Sequence, residues 1–370
     1  MTVPEQFHEI VAQALEKALG GRAAEDVERF FESGGVGRML DTSIPDMSRH
    51  FADSLVEAMP EMITHRREFQ AEVAEQVRCT YGTGLDLVEA VLKMADESGE
   101  EFVDRYFKDG DGIPIMPWVL AHLQARACRI AEEALVLLRA GLGLGAYARW
   151  RSLNEIAVVG TFIEQHGDNM ALRYFEHIEV DSWLELRAAQ ASGRITDEQR
   201  EALDQAQGEV DRLKDRYGPD FLKDYGWAAE AVAGSEHRGF RAIEHTADFG
   251  HLRFDYRRAS GEIHASAAMV LTPPDARDPY GTMLSGPSMV WIATPSHAVA
   301  LSLCVATSNL LRSVENPGAV FVLAAMSDIA ERAGDTLVAA EREIEERVET
   351  EEVAEASEEA QANGGLEPGR

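Results

Sequence analysis

Cysteine is scarce in this chain. Only three are present, at positions 79, 128 and 304, and no two of them form a CxxC motif. An odd count at wide spacing argues against a disulfide framework and indicates a reducing compartment. No catalytic signature surrounds Cys79, Cys128 or Cys304. We therefore expect each thiol to be a small core residue, and we predict a cytoplasmic protein.

Long apolar runs are also missing. The first residues show no basic region followed by an apolar run, so no secretory or transit signal is expected. The nearest candidate for a membrane span is the uncharged stretch 279–311, which Thr294-Pro295-Ser296-His297 interrupts. A spanning helix needs about 20 predominantly apolar residues. This stretch is therefore predicted to be a buried helix of a soluble protein, without a membrane partner.

Positive charge is in short supply. The 35 Lys and Arg face 65 Asp and Glu, a formal net charge of −30, of which residues 341–370 supply −8. The remaining acidic body repels phosphate backbones at long range, so binding to DNA is disfavoured. A protein or a small ligand is the better partner for such a chain, and a homodimer is among the expected assemblies.

Strand signals are nearly absent, while apolar residues recur at spacings of three and four over long windows. The predicted fold class is all-α, a multi-helix bundle. We predict a helical N-terminal domain over residues 1–140 and a larger helical bundle over 141–349. Between them Gly141-Leu142-Gly143-Leu144-Gly145 forms either a flexible joint or a point of close helix packing. Residues 350–370, rich in Glu, are predicted to be a disordered acidic tail.

Proline and glycine mark the predicted helix ends. Helices are predicted over residues 5–19 and 23–32, and breaks at Asp41–Pro45, near Pro60 and between Cys79 and Gly84. A charged helix from Thr196 to Tyr217 has the composition of an exposed arm or hairpin. A further helix is predicted from His251 to Leu271.

The most informative polar pattern lies in that further helix. Arg253, Arg257, Ser260 and His264 stand at i, i+4, i+7 and i+11, which places them within about 40° of one line on a helix. They border an apolar stripe that includes Tyr256. Arginine there could bind an oxyanion or phosphate beside a proton-exchanging histidine. The alternative is a packing network between helices, in which Arg257 pairs with an acid and His264 is a core histidine.

Glu155 is the predicted acidic partner of this face. Arg151 lies four residues earlier on the same predicted helix and can pair with Glu155 locally. If Glu155 points inward instead, it must meet a cation, and Arg257 or Arg258 is the one expected.

Three short groups of residues carry a resemblance to a known family. They are Arg151-Ser152-Leu153-Asn154-Glu155, Arg173-Tyr174 with His177, and Tyr256-Arg257 with Ser260 and His264. In this order and spacing they resemble the bacterial domain-of-unknown-function family 5677, over roughly residues 146–275. The resemblance implies an all-helical domain of unestablished activity, with Arg151, Glu155, Tyr256, Arg257, Ser260 and His264 as the matching positions.

A looser similarity is to the helical domains known as HEPN, whose ribonuclease motif is Arg, four to six residues, then His. Arg257 and Arg258 both stand at that spacing from His264. The similarity implies a metal-independent ribonuclease of toxin or phage-defence type, with His264 as general base, Arg257 or Arg258 on the phosphate and RNA as partner. Such spacings occur here about as often as chance predicts. Our leading hypothesis is therefore a regulatory or interaction module.

No metal or cofactor site is predicted. Glu244, Asp248 and His251 stand at i, i+4 and i+7, a spacing that could gather metal ligands on an unbroken helix. Gly250 interrupts that helix, so a solvated polar face is expected there instead.

Overall fold

The structure is a computed structural model that describes residues 35–108, 114–264 and 286–363. Within these ranges every regular element is helical and no strand occurs, which confirms the all-α prediction. The α-helices are α1 Gly35–Tyr106, α2 Ile115–Arg139, α3 Gly143–His166, α4 Asp168–Ala191, α5 Asp197–Tyr217, α6 Phe240–Thr246, α7 Arg253–Ile263, α8 Ala293–Arg312 and α9 Ala319–Asn363. Short 3-10 helices occur at Pro219–Leu222, Gly226–Ala228 and Gly250–Leu252.

The chain divides into two compact units, residues 1–72 and 73–370. The first contains the beginning of α1, and the helices predicted over 5–19 and 23–32 lie outside the described residues. The second contains the rest of α1 and α2–α9. That the chain has separate domains over residues 1–140 and 141–349 stays a prediction.

Helix α1 is continuous over 72 residues, so the breaks predicted at Asp41–Pro45, Pro60 and Cys79–Gly84 are wrong. An internal proline removes one backbone hydrogen bond, but the helix continues past Pro60, whose carbonyl accepts a 2.8 Å bond from Thr64 Oγ1. Gly84 serves packing, because a Cβ there would lie 2.6 Å from Leu337 Cγ on α9.

The core of the second unit is built around α3, which packs against α2 and α8 and also contacts α4, α6 and α7. Its Trp150 and Leu153 are fully buried. Trp150 Nε1 donates a 2.9 Å hydrogen bond to Ser302 Oγ on α8, which satisfies two buried polar atoms at once. Because neighbours surround α3 on several sides, its polar residues lie at helix interfaces.

The glycines between α2 and α3 serve close packing. Gly141 has a φ of +74°, a backbone conformation that side chains other than glycine's rarely adopt. At Gly143 an added Cβ would lie 2.0 Å from the backbone oxygen of Trp291. Of the two predicted roles for this segment, the structure supports close packing.

The uncharged stretch forms the buried helix α8, as predicted, but it begins only at Ala293. Among the described residues, no helix combines the length and apolarity needed to cross a bilayer.

Helices α7 and α9 differ from the predictions in length. Helix α7 ends at Ile263, and His264 has an extended backbone (φ −109°, ψ 120°), so the predicted helix to Leu271 ends early. Residues 265–271 lie outside the described ranges. Helix α9 continues through Asn363, into the segment predicted as a disordered tail. Glu and Ala are strong helix formers, which accounts for that extension.

The predicted hairpin arm is present as α4 and α5. It has a small apolar cluster of its own, formed by Trp183, Leu203 and Val210. Thr196 begins α5 with a reciprocal capping box, in which its hydroxyl accepts from Gln199 N and its backbone N–H donates to the Gln199 side chain.

The cysteines differ in exposure. Cys128 is buried and Cys304 is half-buried, and burial raises the pKa of the Cys304 thiol to about 11, so it is a poor nucleophile at neutral pH. Cys79 is exposed, and the expectation that it belongs to the core is wrong. Its position on a solvent-facing side of α1 explains this.

Candidate functional site

Helix α7 lies against α3, and only part of its predicted polar line faces inward. Tyr256 and Ala259 are buried, Ser260 is half-buried, and Arg257 and His264 are exposed. His264 lies one residue beyond the helix, where its backbone N–H donates to Ser260 O at 3.0 Å. The alternative in which His264 is a core histidine is therefore wrong, because the helix ends before it reaches the core.

Four of the predicted residues meet in one hydrogen-bonded group, which we call the Glu155 network: Arg151, Glu155, Tyr256 and Ser260. Arg151 donates to Ser260 Oγ at 2.9 Å and to the Tyr256 hydroxyl at 2.7 Å, and it pairs with Glu155 at 2.8 Å. The Tyr256 hydroxyl in turn donates to Glu155 Oε1. These contacts fasten α7 to α3 through side chains that are only partly exposed.

The cation that meets Glu155 is Arg151, not Arg257 or Arg258. Tyr256 and Ser260 share the face of α7 that points to α3, and Arg257 is rotated about 100° away from Tyr256. Arg258 lies over the ring of Trp291, with 3.8 Å from its Cζ to the ring centroid. The local pair between residues four apart, which the sequence also allows, is the one that forms.

Arg253, the remaining member of the predicted line, pairs with Glu244 at 3.0 Å. The Glu244 side chain is only 2% exposed, and its second carboxylate oxygen is buried without a hydrogen-bond partner in the described ranges. Helix α6 ends at Thr246 and Asp248 has a φ of +64°, so Glu244, Asp248 and His251 do not share one helix. The solvated polar face expected there is wrong for Glu244, which is buried. In the described part of the chain, no three His, Cys, Asp or Glu side chains are placed to hold a metal ion.

Glu155 also borders a cleft of about 500 Å³, which we call the Glu155 cleft. Helix α3 contributes Ser152 and Glu155, and α4 contributes Tyr174 and His177. Two of the three sequence groups singled out above therefore meet at one cavity, and the third meets Glu155 through Tyr256. The other polar or aromatic lining residues are Arg126, Asp181, Asp224, Tyr225, Trp227 and Phe240.

Aromatic rings form much of the wall of the cleft. Tyr174 and Trp227 meet edge to face, with ring centroids 5.0 Å apart, and Tyr225 and Phe240 lie 6.0 Å apart. Burial raises the pKa of the Tyr174 and Tyr225 hydroxyls, and the Glu155 carboxylate raises that of Tyr225 further. Both hydroxyls are therefore protonated at neutral pH and can donate hydrogen bonds to a ligand.

The charged groups of the cleft differ in whether they already have partners. Glu155 is paired with Arg151. His177 faces Asp181 Oδ1 at 3.2 Å through Nδ1 and the Lys223 carbonyl at 3.2 Å through Nε2. Arg126 and Asp224 make no ion pair or hydrogen bond through their side chains to the described residues, so a ligand would meet them without displacing a protein partner.

Arg173 has a structural role beside the cleft. It is buried, donates to the Trp227 carbonyl at 2.8 Å and pairs with Glu230 at 3.1 Å. Its guanidinium also lies over the Tyr217 ring, 4.6 Å from the centroid. These contacts hold the segment that carries Trp227 against α4.

Sequence reasoning missed Arg126, Asp224 and Tyr225. Tyr225 has a φ of +56°, and such a conformation in a residue other than glycine is concentrated at functional sites. The following Gly226 permits a tight turn, because a Cβ there would lie 2.2 Å from the Phe221 carbonyl oxygen. Asp181 lies four residues after His177, so helical spacing could have identified it as the partner of that histidine.

Comparison with protein families supports the resemblance for the middle of the chain. Residues 118–272 match the model described as "Family of unknown function (DUF5677)". The match begins earlier than the predicted 146 and includes most of α2, so Arg126 and the other cleft residues fall within it. Neither a curated protein nor a solved structure matches the chain.

Proposed function

We propose that this protein is a regulatory or interaction module whose small-ligand site is the Glu155 cleft. The observation that carries the proposal is a cavity of about 500 Å³ with aromatic walls and two charged side chains, Arg126 and Asp224, that have no partner among the described residues. Cavities of about 300–1,000 Å³ that combine aromatic side chains with a few convergent polar groups are typical of small-molecule sites. The scarcity of cysteine supports a cytoplasmic location for the module.

Glu155 gives this cleft a physical connection to α7. The same carboxylate that borders the cleft accepts the Tyr256 hydroxyl and pairs with Arg151, which also holds Ser260. A ligand that attracts or repels Glu155 would change the strength of these contacts. Because a ligand shifts a conformational equilibrium only through contacts that differ between the two states, this shared carboxylate supports a regulatory role.

The histidine and the tyrosines of the cleft lack the features of a general base at neutral pH. A general base needs a free lone pair within reach of its substrate. Both ring nitrogens of His177 already face oxygen atoms, and burial raises the pKa of the tyrosine hydroxyls away from the range of a neutral-pH base.

A steric block of the cleft tests the proposal. Ser152→Trp places an indole in the cleft, and Gln165→Trp places the same side chain at the exposed end of α3. Purified variants are screened by thermal unfolding against free amino acids, biogenic amines, nucleotides and organic acids. We expect at least one class to raise the unfolding temperature of the wild type and of Gln165→Trp but not of Ser152→Trp.

Two results would contradict this proposal. A ligand that stabilises Ser152→Trp as much as the wild type binds elsewhere. A full panel without effect on any of the three proteins leaves the small-ligand module without support and removes the proposed function.

The metal-independent ribonuclease remains a second candidate because the structure leaves Arg257 and His264 exposed, as RNA access requires. Its test is to express the wild type and His264→Ala and compare RNA integrity and cell growth, with the exposed His251→Ala as control. RNA loss that requires His264 but not His251 would support it, and equal effects of all three would exclude it. The homodimer stays a prediction that light scattering on the purified chain tests.

A further inference from the structure

We infer that the Glu155 cleft binds an aromatic amino acid, or an amine carboxylate of similar size, with its carboxylate at Arg126 and its ammonium group at Asp224. The inference rests on the proposed function, since it names the ligand class of the same cleft. It follows from which charges in the cleft are paired, which are not, and what the walls are made of.

Among the residues that the structure describes, the charges of the cleft without a partner are one cation and one anion. Arg126 is exposed on α2, and its planar guanidinium is suited to a carboxylate, which it can bind through two parallel hydrogen bonds. Asp224 precedes the left-handed Tyr225 and lies at the same cleft. The other two carboxylates that line it, Glu155 and Asp181, already have partners in Arg151 and His177.

Ligands with a single kind of charge fit this lining less well. A polyanion such as a nucleotide would bring its phosphates near Asp181 and Asp224 with one unpaired arginine to balance them. A simple amine would leave Arg126 without a partner. A zwitterion satisfies Arg126 and Asp224 together, without opening either internal pair.

The walls favour an aromatic ring beside the two charged groups of the ligand. Tyr174, Trp227, Tyr225 and Phe240 offer ring faces and edges, and aromatic pairs prefer offset or edge-to-face contacts with centroids about 4.5–7 Å apart. An ammonium group gains further from nearby tyrosine and tryptophan faces. The cavity of about 500 Å³ is within the usual size range of small-molecule pockets.

Three probes that share one ring and differ in charge test the inference: L-phenylalanine, phenethylamine and 3-phenylpropionate. Their affinities for the full chain are measured by isothermal titration calorimetry. We expect phenylalanine to bind at least about ten-fold more tightly than either probe with a single charge, because each of those loses one charge-assisted contact.

Two substitutions assign the charged contacts. Arg126→Gln should bring the affinity for phenylalanine down to that for phenethylamine, and Asp224→Asn should bring it down to that for 3-phenylpropionate. The matched controls are Arg129→Gln, one turn along α2 and outside the cleft, and Asp220→Asn, whose carboxylate pairs with Lys223. Both controls should bind phenylalanine like the wild type, and circular dichroism checks that every variant is folded.

The outcomes separate the ligand class from the function itself. If phenylalanine binds no more tightly than phenethylamine, or if none of the three probes binds, the zwitterion is wrong. In that case the proposed function would still be supported by a ligand of another class that binds the wild type but does not bind Ser152→Trp. If the controls weaken phenylalanine binding as much as Arg126→Gln and Asp224→Asn do, the assignment of the two charged contacts is overturned.

Discussion

Two glycines in the first turn of α3 have very different surroundings. A Cβ at Gly143 would lie 2.0 Å from the Trp291 backbone oxygen, and backbone cannot move aside as a side chain can. At Gly145 the nearest neighbour of an added Cβ would be Leu137 Cδ1 at 3.7 Å, an ordinary contact distance. The same methyl group should therefore have opposite effects at positions two residues apart.

Gly143→Ala should lower the free energy of unfolding by about 2 kcal/mol or more, in the upper range of overpacking substitutions. Gly145→Ala should raise it by about 0.5 kcal/mol, since alanine is the better helix former and space is available. Urea denaturation of the three proteins measures both changes. Equal losses in the two variants would show that Trp291 does not approach Gly143 as closely as described.

At the scale of elements, the stability of α7 depends on contacts with neighbouring helices. It has 11 residues, and isolated helices shorter than about 12–15 residues are marginal in water. Burial of Tyr256 and Ala259 and the contacts from Arg151 to Tyr256 and Ser260 supply the missing stability. The Tyr256 hydroxyl is central because it accepts from Arg151 and donates to Glu155.

Tyr256→Phe keeps the buried ring and removes only that hydroxyl. A hydrogen bond to a charged group contributes about 1.5–3 kcal/mol, so the amides of α7 should exchange with solvent about ten-fold faster or more. Phe254→Ala is the control on the same helix, because the Phe254 side chain is 73% exposed. Hydrogen exchange followed by mass spectrometry should show faster exchange in Tyr256→Phe, and unchanged α7 protection there would contradict the network.

The helices that sequence reasoning predicted best are those with strong periodicity and clear ends. Helix α5 is one of them, because it begins at Asp197, one residue after the predicted Thr196, and ends at Tyr217 as predicted. Helix α1 was divided wrongly because proline and glycine lower local helix propensity without always ending a helix that packing supports. Helix α7 was predicted too long because nothing in its spacing indicates the extended backbone at His264.

The candidate site was predictable only where its residues share a helix. Arg151 with Glu155, and Tyr256 with Ser260, are four residues apart, and the structure brings these two pairs together. Arg126, Asp224 and Tyr225 come from distant segments that meet only after the chain has folded. No local spacing connects them, so their convergence could not be derived from periodicity.

At the scale of the whole molecule, interfaces of α8 with its neighbours bury polar groups as well as apolar ones. His297 on α8 is one of them. It lies so close to α9 that a Cβ at Gly334 would be 2.7 Å from its ring. Its Nε2 is buried and has no hydrogen-bond partner among the residues that the structure describes. Burial lowers the pKa of the ring, although Asp335 and Glu331 on α9 act in the opposite direction.

The lowered pKa of His297 has a definite consequence for stability. The unfolded chain takes up a proton on this residue near pH 6.5, whereas the folded chain does so only at lower pH. The unfolded state therefore binds more protons in that interval, and stability rises with pH there. The contribution of His297 is fully present above about pH 6.5 and is lost as the pH falls through the folded value.

His297→Gln should remove that part of the pH dependence. Many carboxylates also titrate in acid, so the informative quantity is the difference between the two proteins. From pH 8 to pH 5, the free energy of unfolding should fall more steeply in the wild type than in His297→Gln. Urea denaturation at half-unit pH intervals measures both curves. Parallel curves would mean that the His297 ring meets water at the contact between α8 and α9, so that its protonation would not oppose folding.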